Sequence, residues 1–110
     1  MAFLEKMKRF LKHKRNENDI SYEEAVQIME KYPETILVDV RSTQEYNENH
    51  LPLAISIPVY DIKKITKIIK NRDNIIILYC QTGARSKKAQ KVLEDLCYTN
   101  IYTINKGLNG

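Results

Sequence analysis

The chain has 110 residues, 43% of them hydrophobic, enough for one domain that buries about two-thirds of its unfolded surface. No apolar run approaches the ~18 residues of a membrane span, and the N-terminus lacks the apolar core and cleavage site of a signal peptide. With Cys80 and Cys97 as the two cysteines and no export signal, a reducing cytoplasm is the expected compartment. The net charge of +4 is uneven. Residues 1–18 hold six basic side chains against Glu5 and Glu17, while residues 19–110 balance twelve against twelve. The basic character therefore belongs to the tail, and the domain itself is expected to have no nucleic-acid partner.

Two units follow from this split: a basic amphipathic segment, 1–18, and a folded domain, 19–110. In the first, Phe3, Leu4, Met7, Phe10 and Leu11 share one side at helical spacing, with Lys and Arg opposite. Three readings stand for residues 1–15: weak contact with an anionic membrane surface, packing on the domain or a second copy, or a disordered leader. Residues 16–19 form a polar link.

From there strands and helices alternate. Ile20 sits in a short entry segment. Ser21 and Glu24 form a capping box that opens a helix through Ala25, Val26, Ile28 and Met29, ending near Pro33. Residues 36–40 read as a strand, 43–46 as a short helical turn and 54–57 as a brief strand. A helix over 60–70 turns Ile62, Ile65, Ile68 and Ile69 inward. The run 75–79 is apolar and β-branched, as in a strand buried on both faces. A helix over 86–96, with Ala89, Val92, Leu93 and Leu96 inward, precedes a last strand at 101–104. The alternation predicts an α/β fold in three layers, α/β/α, around a mostly parallel sheet of about five strands. In such sheets ligands bind beyond the carboxyl ends of the strands, where Cys80 falls.

Residues 80–86, Cys-Gln-Thr-Gly-Ala-Arg-Ser, join the central strand to a helix. Loop N–H groups and the helix N-terminus direct positive charge at the sulfur, favouring the nucleophilic thiolate. Gly83 lets the loop curl without a Cβ penalty, and Arg85 adds a fixed cation. A cysteine ending a buried strand is commonly a small core hydrophobe, but such a residue needs no glycine and arginine beside it. Cys97 ends a helix whose apolar face explains it by packing, so a Cys80–Cys97 redox pair ranks low. His13 and His50 stand alone, and no cluster has zinc spacing. No metal or cofactor is expected.

This loop resembles the active-site loop of the rhodanese family of sulfurtransferases. The order Asp39-Val-Arg41, Glu45-Tyr46, Asn49 to Ala54 and Ile55 to Pro58 is similar to the family's D-V-R, E-Y/F, G-H-I-P-G-A and I-N-I-P pattern. Asn105 to Gly110 is similar to its closing glycine-rich turn. Three departures are visible. Asn49 and Leu53 replace two glycines, a change expected to cost little. Gln81 stands where thiosulfate-using members often carry Arg. The chain stops at Gly110 where many members continue to a tryptophan, which leaves the last turn less anchored.

The resemblance implies a rhodanese-like fold over residues 19–110 and sulfane-sulfur transfer in two halves. Cys80 is the catalytic residue that carries a persulfide. Gln81, Thr82, Gly83, Ala84, Arg85 and Ser86 are the substrate-binding loop, with amides that stabilise charge on the terminal sulfur. Asp39 and Arg41 are expected to brace the loop as a polar network, and Tyr46 and Tyr79 to pack. The implied partners are a small anionic donor such as thiosulfate and an acceptor that is cyanide, a thiol or a protein, in a monomer or dimer. Two alternatives stay open. One is a persulfide carrier or binding module serving one protein partner. The other is a phosphatase or arsenate reductase, whose similar cradle has one more residue between Cys and Arg than the four here.

Overall fold

The computed structural model describes residues 18–104 and 107–109. Five strands form a single sheet in the order β1-β5-β4-β2-β3, every pair parallel. They are β1 Asp19–Ile20, β2 Ile36–Asp39, β3 Ile55–Ser56, β4 Ile76–Tyr79 and β5 Ile101–Ile104. The α-helices are α1 Tyr22–Lys31, α2 Thr43–Glu48, α3 Ile65–Ile68 and α4 Ala84–Asp95. A 3-10 helix, Val59–Lys64, runs into α3, and a second, Gly107–Asn109, follows β5. None of the helices among the described residues is long and apolar enough to cross a membrane.

Period-two alternation in the strands divides the interior into two cores. Along β4 and just past it, Ile76, Leu78 and Cys80 face Ala89 and Leu93 of α4, with Ile62 and Ile65. Ile77 and Tyr79 face the other way, against Ala25 and Ile28 of α1. Helices thus cover both faces, the expected α/β/α arrangement. β4 is fully buried because its neighbours β5 and β2 take its backbone while a core takes each face.

Local signals hold where the chemistry is local. Ser21 Oγ accepts from Glu24 N–H and Glu24 Oε1 from Ser21 N–H, so the capping box opens α1 as expected. The expected helix over 60–70 differs. Its first part is 3-10, in which positions three apart eclipse, and α3 ends at Ile68 before an extended Ile69. Ile62, Ile65 and Ile69 are buried, whereas Ile68 is 53% exposed. Cys97 is likewise outside the core: it is exposed, with φ +71, just after α4 turns off the sheet.

The two replaced glycines behave differently. Asn49 has φ −165, extended backbone open to any residue. Leu53 has φ +70, where a side chain costs about 1–2 kcal/mol, so this replacement is strained rather than free. The described part of the closing turn is held by backbone: Leu108 N–H donates to the Cys80 carbonyl at 3.0 Å.

Candidate active site

The site is built by one sharp reversal. β4 delivers Cys80 to the carboxyl edge of the sheet with its side chain on the α4 face. Gly83, at φ +100, then turns the chain directly into α4. Glycine is required there, because other residues reach that conformation only with strain. The helix begins at Ala84, two residues earlier than expected. Arg85 and Ser86 are therefore first-turn residues, and the loop proper is Gln81 to Gly83.

No side chain caps α4, so its first N–H groups are left to the sulfur. Gly83 N–H donates to Cys80 Sγ at 3.0 Å. The Cys80 thiol lies 3.7 Å from Ser86 Oγ, whose own proton goes to the Gly83 carbonyl at 2.9 Å. A hydroxyl is a rotor, so on ionisation that proton can turn to the sulfur. Burial pushes the Cys80 thiol up. The Ser86 N–H and hydroxyl, then the N–H groups of Gly83 and Thr82, outweigh it and leave the thiol below its ordinary value. Cys80 is 1% exposed at the start of the loop. Gln81 is half-buried there, and Thr82 and Ala84 are exposed.

Arg85 is held in a forked pair with Glu45 of α2. Its Nη1 meets Glu45 Oε1 at 2.7 Å and its Nη2 meets Oε2 at 3.1 Å. Glu45 is held in turn by Ser42, whose N–H donates to Oε1 at 3.1 Å while Ser42 Oγ accepts from Glu45 N–H at 3.2 Å. Arg85 foremost, then the Ser42 N–H, hold the Glu45 carboxyl down at about 2. Glu45 also raises the Arg85 guanidinium. The pair ties the first turn of α4 to α2, the helix after β2.

Asp39 and Arg41 form a separate buried network. Arg41 Nη2 donates to Asp39 Oδ2 at 2.8 Å, and its Nε reaches both carboxylate oxygens at 3.1 Å. The same Nη2 donates to the Asn49 carbonyl at 2.6 Å, and the guanidinium lies over the Tyr79 ring at 5.9 Å. These contacts end one residue short of Cys80. Tyr79 packs in the core with its hydroxyl accepting from Leu51 N–H at 3.0 Å, and Tyr46 donates to the Ala54 carbonyl at 2.7 Å. His50 stacks on Tyr46 at 3.8 Å. His13 lies outside the described residues.

Two contributors went unassigned from sequence. Glu45 was visible inside a Ser42-x-x-Glu45 capping box, but its arginine partner is 40 residues away. Gly107 carried no local signal for its contact with Cys80. Among the described residues no group of three or more His, Cys, Asp or Glu could hold a metal ion.

Comparison with known proteins agrees with this architecture. The rhodanese-like domain pattern matches residues 21–110. The thiosulfate sulfurtransferase PspE of Escherichia coli (strain K12) is 29% identical over 65 residues, covering 58% of this chain and 62% of that one. A sulfurtransferase of Allochromatium vinosum is 29% identical, covering 83% and 84%. A solved rhodanese from E. coli superposes with a TM-score of 0.63 at 28% identity, covering 68% of this chain and 88% of that one. The chain spans only 25% of a similar tRNA uridine(34) hydroxylase from Buchnera aphidicola, which is 36% identical over 81 residues. The chain belongs to the rhodanese-like domain family.

Proposed function

We propose that this chain is a sulfurtransferase that carries sulfane sulfur as a Cys80 persulfide. The Cys80 thiolate attacks the outer sulfur of a donor such as thiosulfate. A new S–S bond forms as the old one breaks, and sulfite leaves with its electron pair. A thiolate or cyanide then attacks the terminal sulfur and returns Cys80 as thiolate. Negative charge sits on sulfur throughout, so the amides of the loop and α4 can serve both halves without a proton donor. The observation that carries the reading is the Gly83 N–H donated to Cys80 Sγ at 3.0 Å, at the uncapped start of α4. The cycle needs a reduced thiol, which suits a reducing compartment such as the cytoplasm.

A specific observation favours a protein donor or acceptor over small anions. Gln81 is neutral, and the Arg85 fork is occupied by Glu45, so neither is a free cation for a sulfonate. The same pairing argues against phosphatase or arsenate reductase chemistry, in which the arginine cradles the oxyanion. The test is an intact-mass measurement after exposure to thiosulfate and, separately, to a protein persulfide. One sulfur atom added to the wild type and none to Cys80→Ser supports the reading. No addition from either donor would refute it.

A further inference from the structure

A groove of about 260 Å³ lies between α1 and the segment 51–53, with Leu37 of β2 and Ile104 of β5 also in its lining. Tyr22, Val26 and Met29 line it from α1, at helical spacing, and Leu51 and Leu53 line it from the segment after α2. Two of these apolar residues stand open to solvent, Tyr22 at 47% and Leu53 at 83% exposure. Leu53 does so from the strained backbone described above. Glu30 lines the groove too, and Glu23, also on α1, is exposed.

We propose that residues 3–11 of the same chain occupy this groove as an amphipathic helix. This segment lies outside the described residues, but its composition and attachment both fit. Phe3, Leu4, Met7, Phe10 and Leu11 make an apolar stripe for the wall of Tyr22, Val26, Met29, Leu51 and Leu53. Six basic side chains in residues 1–18 complement the acids of α1. The tether is short. Asn18 is pinned to β5 through its carbonyl, which accepts from Thr103 N–H at 2.8 Å, and Tyr22 begins α1 four residues later. The seven residues from Leu11 to Asn18 reach at most about 25 Å, so the stripe stays near the groove. Tethering gives the segment an effective concentration in the mM range, and packing supplies the stability that an isolated short helix lacks in water. A lipid surface would take the same stripe, but it gives no account of a complementary groove beside the attachment point.

The test places a photo-crosslinker in the full-length chain as Met7→benzoylphenylalanine, irradiated at ~1 µM, far below the tethered concentration. The expected adducts are intramolecular and map to residues 22–30 or 51–53. Val26→Asp, which sets a charge in the apolar wall, should lower their yield about tenfold. Glu30→Lys, on the exposed rim and harmless to the core, should lower it about threefold. Adding anionic vesicles should leave the pattern in place. Adducts to lipid, to a second chain or to other faces, or no adducts, would overturn the proposal, as would yields unaffected by both substitutions.

Discussion

Gly107 presses on the carbonyl of Cys80. A Cβ at Gly107 would lie 2.0 Å from that oxygen and 2.9 Å from the Gln81 carbonyl carbon, and its φ is +55. The adjacent Leu108 N–H donates to the same oxygen. The peptide that opens the loop between β4 and α4 is therefore set by the turn that follows β5. Gly107→Ala should destabilise the fold by at least about 2 kcal/mol, from left-handed strain plus a backbone clash. A lowered urea midpoint and impaired sulfur uptake are the readouts.

Removing the Ser86 hydroxyl takes away one group that favours the ionised sulfur. Ser86→Ala should move the Cys80 thiol upward, seen as a rightward shift in the pH dependence of its alkylation rate. An unshifted profile would remove Ser86 from the account.

Only one of the two thiols has amides and a helix N-terminus beside it. Cys80→Ser should abolish persulfide formation, and Cys97→Ala should leave most of it. Sulfur retained in the Cys80 variant would end the proposed mechanism.

The Glu45–Arg85 pair makes a pH signature. Glu45 titrates at about 2 when folded against an ordinary 4.5, so it binds its proton less readily in the folded chain. Its stabilisation is complete above the ordinary value and fades as pH falls from there towards about 2. Each partner is about a third exposed, so the contribution is modest. Glu45→Gln should flatten the decline in melting temperature across that acid window and leave neutral stability slightly lower.

Gln81→Arg would add a cation where Arg85 is otherwise engaged. The kcat/KM for thiosulfate should rise about tenfold, the value of one charge-assisted hydrogen bond, with transfer from a protein persulfide changing less.

What could be read in advance was local. A β-branched run, then Cys80 and Gly83, then helical spacing marks a strand, a turn and a helix whatever surrounds them. Ser21 and Glu24 announce α1 in the same way. Tertiary facts were not legible. Glu45 and Arg85 meet because α2 and the first turn of α4 sit at the same edge of the sheet, and nothing near either residue encodes that meeting. Ile68 has the right spacing for an α-helix, yet a 3-10 segment and an early stop turn it outward. Cys97 follows an apolar helix face but leaves it in a left-handed turn. Leu53 was visible as a replaced glycine, but that it keeps the left-handed backbone while Asn49 does not was hidden.

The outer strands of the sheet have a consequence for how the chain behaves in a crowded solution. β1 and β3 are two residues each, while the inner three have four. A sheet invites another chain along whatever free ladder its margin presents. Here that ladder is too short to template an intruding strand, so the long apolar strands β2, β4 and β5 lie enclosed between stubs. Folded molecules should resist strand-to-strand association, and the exposure of β4 on unfolding should be the step at which aggregation begins.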